Sequence, residues 1–482
     1  MATAGASAVA TRVFRTQVPR DAIGAHGDFL RRGFAFVCFA ALLALNIALP
    51  SYMFAGYPIR GLLTAGLLVF LAILYFEEAA AAFTKNALLL AVAAGLAIVG
   101  TFVSIVNRAP LEAITEAVTE VHLQTAVTIL VATILARLCG ARLCVLAIVC
   151  GIGASGLVAI LQMLGFDPAW SWRETLGNLQ NQNLSEFQPF AKRRPMGVSF
   201  SPIQLSTQLC LAFAAYTAVR DIERKPAGEE RTADPAVFVA ILLFFAICVA
   251  SGTRSPILGG LIFLGLYVAT RRASWVAVLM LAVGAIVYFA GPSVLALFQE
   301  TQPRVVRVDD NSAASRFALA YYGLVLFLDN PLGYGFAFKP YELWTNYWHE
   351  FYTMASPSAL QSKELHNYAF NMLNTYGIGL LLFVPAAIIL LRRAKASLIF
   401  FIPYIVQIMF HNAGPFWSDA IIWFVVAAIS VAVPASAASM RARGPTREPS
   451  HNYRPPRIGR YGLASSGPTI NYRFHKGKGQ HA

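Results

Sequence analysis

Residues 363–393, "KELHNYAFNMLNTYGIGLLLFVPAAIILLRR", set a His-Asn pair directly before an apolar run that ends in two arginines. From His366 to Leu391 the run is long enough for a helix to cross the roughly 30 Å hydrocarbon core of a bilayer. Arg392 and Arg393 assign that end to the cytoplasm, because short loops rich in Lys and Arg are retained there. His366 and Asn367 are then expected at the external mouth of the span.

The rest of the chain has the same character. Of 482 residues, 57% are hydrophobic and 13% charged, too little polar surface for an ordinary water-soluble domain. Apolar runs of spanning length begin near Gly33, Gly61, Asn86, His122, Leu143, Ser201, Pro235, Ile257, Ser274, His366, Ser397 and Asp419. The expectation is an all-α polytopic membrane protein with about 12 transmembrane helices, its transmembrane domain covering residues 33–434.

With both termini inside, 26 of the 38 Lys and Arg fall in cytoplasmic segments, as the positive-inside rule requires. Residues 1–32 read as a cytoplasmic tail leading into an uncleaved signal anchor. Residues 435–482, with "RARGPTREPSHNYRPPRIGR", read as a basic, disordered cytoplasmic tail drawn to anionic headgroups. The net charge of +14 therefore reflects membrane topology, and no nucleic-acid partner is expected. The six cysteines lie in spans or at a cytoplasmic turn and imply no disulfide framework. No spacing suggests a metal ligand set, and neither a phosphate loop nor a Gly-x-Ser-x-Gly elbow occurs.

Attention falls on the external face. It carries "FAKRRPMGVSFSP" (190–202), "SGTRSP" (251–256), a long loop over about 292–365, and "HNAGPFWSD" (411–419). The long loop far exceeds a connector, which makes it a functional candidate. Within it, Ser315 to Leu328 reads as an amphipathic helix suited to the membrane surface, stopped by Asp329-Asn330-Pro331 and the glycines that follow. Paired carboxylates for glycoside hydrolysis do not stand out by spacing.

In order along the chain come Arg-Arg-Pro-Met-Gly before a span, the Ser-x-x-Arg-Ser hairpin "SGTRSP", an Arg opening "SRFALAYYGLVLFLDNPLGYG", and "HNYAFNMLNTYGIG". Over roughly 194–379 this arrangement resembles the O-antigen ligase and O-antigen polymerase superfamily of bacterial inner-membrane glycosyltransferases. Pro202-Ile203 and the close spacing of Gly377 and Gly379 depart from the family's usual pattern, so the resemblance reaches the superfamily and not one subfamily.

The resemblance implies transfer of a glycan from a polyprenyl diphosphate carrier to an acceptor hydroxyl at the periplasmic face, without metal or other cofactor. The acceptor is lipid A core, a second lipid-linked repeat or a protein hydroxyl. Leaving of a lipid diphosphate builds negative charge, and Arg answers it with a planar fork of donors that stays charged near lipid. On that reading Arg254 and Arg316 lead as diphosphate ligands, followed by Arg194 and then Arg193. The competing reading is that they anchor the interface by snorkelling to lipid phosphates.

His366 is the candidate general base or acceptor-positioning group; the alternative is a His that merely caps a helix entrance. Asn367 is expected to cap or orient. His411-Asn412 repeats the pair without the glycines and is assigned a minor part. The aromatic patch around His349 suits sugar stacking or interfacial anchoring. The competing class is a flippase or secondary transporter of lipid-linked oligosaccharides, which calls for ionisable groups deep within spans.

Overall fold

The computed structural model describes residues 23–54, 56–182, 194–224, 234–271, 311–352, 359–362, 364–394 and 397–442. The segment expected to span from Ser274, the first part of the long loop, Arg193, and the tails before 23 and after 442 lie outside the described residues.

In lipid each backbone polar group must be paired within its own segment, and the chain meets this with helices. They are α1 (Ile23–Ala48), α2 (Ile59–Leu74), α3 (Phe76–Val106), α4 (Leu111–Cys139), α5 (Ala141–Met163), α6 (Asp167–Asn178), α7 (Pro202–Arg224), α8 (Pro235–Ala250), α9 (Ser255–Thr270), α10 (Asn311–Asp329), α11 (Tyr368–Arg392), α12 (Leu398–Ile408) and α13 (Ile421–Ala442). Among the described residues the strands are one antiparallel pair, Met53–Phe54 with Tyr57–Pro58.

Among the described residues five helices are long and apolar enough to cross a membrane: the Phe29–Ala48 part of α1, then α3, α4, α5 and α11. Five further apolar helices are shorter: α2, α8, α9, α12 and the Ile421–Ala432 part of α13. An apolar run measures the capacity to span, whereas a helix ends where its caps fall. At α8, Asp234 caps the Ala236 N–H at 3.0 Å and Pro235 takes the first turn, which sets the start whatever the hydropathy beyond. The polar α7 is buried along most of its length, as a central helix must be. The last helix continues past Pro434 to Ala442, into the segment expected to be a tail, and the first begins ten residues before Gly33, at Ile23.

Charged pairs gather where cytoplasmic loops are expected: Arg31 with Glu78, Arg142 with Glu223 (2.9 Å), Arg224 with Asp234 (2.7 Å), and Arg271 with Asp221 (2.6 Å). Segments expected outside meet one another in turn. Gln180 joins the Ala48 carbonyl (3.0 Å) and the Ser51 N–H (3.1 Å), and Asn107 reaches the Gly333 carbonyl (3.0 Å). Both sets fit helices that alternate in direction.

The main core joins α1, α4, α5, α7, α8, α9, α12 and α13. Large apolar side chains such as Ile73, Ile98, Phe102, Leu157 and Leu242 face outward, more apolar surface than a soluble domain carries. A smaller core forms within the long loop. There α10 buries Ala318, Leu319, Tyr322 and Leu326 at helical spacing, and Ala318, Tyr322 and Leu326 pack with Phe351, Leu360 and Leu365. Phe317, Tyr321, Leu324 and Leu328 form an exposed second stripe on the same helix, so α10 is apolar on two sides.

Candidate active site

The 251–256 hairpin joins α8 to α9 in a turn too short to satisfy its own polar groups, and short hydroxyl side chains complete it. Thr253 is hydrogen-bonded to Ser251 (2.7 Å) and to Ser206 on α7 (2.6 Å). Arg194 donates from Nη2 to the carbonyls of Gly252 (3.0 Å) and Ser251 (3.3 Å), so this cation and the hairpin are held together. Arg254 occupies the N-cap position of α9. The next residue, Ser255, donates to Gln407 Oε1 of α12 at 2.6 Å.

The same end of α12 receives the other candidates. Asn367 caps α11 by accepting the Phe370 N–H (3.1 Å), and its Nδ2 donates to the Met409 carbonyl (2.9 Å). His366, just before the cap, has φ +48°, a left-handed conformation that His adopts more readily than most side chains. Arg316, in the second turn of α10, stands over the Phe410 ring with its guanidinium carbon 5.9 Å from the centroid. Gln407 and Phe410 are one turn apart. The neighbour of Arg254, the neighbour of His366 and Arg316 itself therefore all rest on the turn around Gln407–Phe410.

His411 follows directly. Its Nδ1 accepts the Asn412 N–H at 2.9 Å, which leaves the hydrogen of the neutral ring on Nε2. Burial, then the charges of His366 and Arg316, push its pKa from 6.5 down to about 4. His411 is therefore neutral at pH 7 and within electrostatic reach of both candidates. It also lines a polar cavity of about 40 Å³ with Arg60, Gln204 and Asp419, where the Gln204 Oε1 is buried without a partner.

The glycines of the two later motifs mate. Tyr334 N–H donates to the Asn374 carbonyl (2.7 Å), Gly335 N–H to the Thr375 carbonyl (3.0 Å), and Ile378 N–H to the Pro331 carbonyl (2.7 Å). A Cβ on Gly333 (φ +86°) would lie 2.6 Å from the Gly377 nitrogen, and one on Gly377 (φ +59°) would lie 2.2 Å from the Leu332 carbonyl. This docking interrupts α11 with a 3₁₀ segment over Gly377–Phe383 and ties the far end of α10 to the helix that His366 precedes.

Two further polar groups lie elsewhere. Arg173 is fully buried and donates to the Phe200 carbonyl (3.0 Å) and to Gln182, a structural part. His349 is exposed, while Trp344, Tyr347 and Phe351 pack onto the loop's own core. His411 and Gln407, outside the leading candidates read from the sequence, lie at this turn. The signal for His411 was the repeated His-Asn pair at another external span end.

The fold and this cluster define a polytopic helical membrane protein with arginines and imidazoles gathered around the end of one short helix. Residues 239–384 match the O-Antigen ligase family. Within that segment the chain is similar to the O-antigen ligase family, and glycan transfer in polysaccharide biosynthesis is the general activity that the match supports. The matched segment contains Arg254, Arg316 and His366; Arg194 and His411 lie outside it. No curated protein matches the chain.

Proposed function

We propose that the protein transfers a glycan from a polyprenyl diphosphate carrier to an acceptor hydroxyl at the periplasmic face of the bacterial inner membrane, with both chain termini cytoplasmic. The observation that carries this reading is the shared seat of Arg316 and of the neighbours of Arg254 and His366 on the Gln407–Phe410 turn. A preorganised set of cations in a partly dehydrated site stabilises the diphosphate as its bond to the anomeric carbon breaks.

Arg254 and Arg316, supported by Arg194 and Arg193, hold the diphosphate. His366 accepts the proton of the acceptor hydroxyl as its oxygen bonds to the anomeric carbon, and polyprenyl diphosphate leaves with the electron pair of the broken bond. The neutral His411 adds no second positive charge beside His366, so His366 retains its capacity to take that proton. The glycan of a second carrier lipid or lipid A core serves as acceptor, and no metal takes part.

The test is transfer in vitro by the purified protein, supplied with lipid-linked glycan and acceptor in the presence of a chelator. Product formation is expected. Movement of the donor across vesicles without any new glycosidic bond would instead make the protein a carrier.

A further inference from the structure

Between Arg194 and Phe200 the chain is neither helix nor strand, so its buried backbone groups need partners from elsewhere. One side chain supplies several. Gln162, in the last turn of α5 and only 3% exposed, accepts the N–H groups of Met196 and Gly197 at its Oε1, both at 2.9 Å. Its Nε2 donates to the carbonyls of Gly197 and Ala169, both at 3.0 Å. A primary amide offers two acceptor positions and two hydrogens, and here all of them are engaged.

Ser155, about two turns earlier on α5, extends the same contact. Its Oγ accepts the Val198 N–H (3.2 Å) and is hydrogen-bonded to Ser199 (3.1 Å), which donates to Gln208 Oε1 of α7 (2.7 Å). The approach is close enough to require glycine: Gly197 has φ +62°, and a Cβ there would lie 2.1 Å from the Ser155 carbonyl oxygen. The fixed φ of Pro195 leaves few free dihedrals between the braced Met196 and Arg194. Arg194 in turn donates to the carbonyls of Gly252 and Ser251.

We propose that Gln162 is the positioning residue for Arg194: it pins Met196 and Gly197 to α5, and so sets the guanidinium on the 251–252 carbonyls, beside the diphosphate. The bearing on the donor rests on the diphosphate role proposed above for Arg194. Gln162 and Arg194 both precede the matched segment 239–384, so this part of the site is supplied by the chain that flanks it.

A double-mutant cycle tests the assignment. Gln162→Met keeps the length of the side chain and removes its hydrogen bonds; it is combined with Arg194→Ala in full-length protein in nanodiscs. The Kd for polyprenyl diphosphate without a glycan is measured, together with amide hydrogen exchange over 196–198. Gln180→Met is the control, because Gln180 is also a buried amide that holds a loop, through the Ala48 carbonyl and the Ser51 N–H. Ser155→Ala, which removes the acceptor of the Val198 N–H, is a milder variant for use should Gln162→Met fold poorly.

Gln162→Met is expected to raise the Kd about tenfold, the scale of losing a hydrogen bond to a charged group, and to speed exchange at Met196 and Gly197. It should add nothing in the Arg194→Ala background. Ser155→Ala should act in the same direction by less, and Gln180→Met should leave the Kd unchanged. Additive losses in the double variant, or an equal loss from Gln180→Met, overturn the proposal, since a general loosening of the fold does not run through Arg194. An unchanged Kd in Arg194→Ala alone sinks the diphosphate reading of that arginine; exchange then decides the brace, which faster rates at Met196 and Gly197 uphold and unchanged rates overturn.

Discussion

Asn367 donates from Nδ2 to the main-chain carbonyl of Met409 across 2.9 Å, and this bond brings the turn carrying His366 beside the turn carrying His411. The same side chain caps α11 through its oxygen. One amide thus fixes both the start of a helix and its contact with another.

Asn367→Ala removes both bonds. Losing an N-cap costs about 1 kcal/mol, so the protein should still fold, with a modest drop in Tm, while transfer falls at least about tenfold as His366 loses its seat. Asn367→Asp keeps the capping acceptor but has no donor for Met409, and should recover Tm without recovering transfer. Full transfer by Asn367→Asp would separate the Met409 bond from His366 positioning.

Arg316→Lys keeps a cation over Phe410 and removes the two-pronged donor. A severe loss of glycan transfer is expected at normal membrane abundance. Near-normal transfer would reduce Arg316 to an interfacial anchor.

His366→Ala should leave donor binding intact and lower transfer by roughly 10² to 10⁴, the usual contribution of a general base. Transfer by the unaltered protein should fall as acid protonates His366, and the residual activity of the variant should lack that limb. Rate against pH, with donor binding measured on the same preparations, decides the matter.

His411 makes stability depend on pH. Its folded pKa of about 4 lies below the ordinary value of 6.5, so between those values the unfolded chain binds the proton and the folded one does not. Stability should therefore decline as pH falls from 6.5 and level off below about 4. His411→Asn should flatten that stretch of a plot of Tm against pH. An unchanged slope would mean that His411 titrates normally.

Gly333→Ala and Gly377→Ala should each deplete folded protein sharply. A left-handed backbone costs a non-glycine residue of order 1–3 kcal/mol, and the new Cβ also meets backbone at 2.6 and 2.2 Å. Gly66→Ala, where nothing lies within 4 Å, is the matched control. Thermal unfolding of equal membrane fractions gives the comparison; equal Tm values would refute the mated-turn packing.

Much of this molecule was legible in local chemistry. The run after His366 announces a helix in lipid because unpaired backbone has no other partner there. The stretch from Ser315 to Leu328 lies within the observed Asn311–Asp329 helix because its period and its Asp-Asn-Pro stop both act over a single turn. The cap at Asn367 is equally local. Tertiary structure decided the rest. A main-chain carbonyl such as that of Met409 has no sequence signature, so nothing in the chain marks α12 as the common seat. Gly333 and Gly377 each signal a turn, and only the fold shows that the two turns press against each other. The neutrality of His411 likewise follows from burial and from charges on α10 and before α11, brought to it from distant parts of the chain. Periodicity and capping are set within a few residues, whereas shared seats, close backbone contacts and local fields exist only once separate helices have packed.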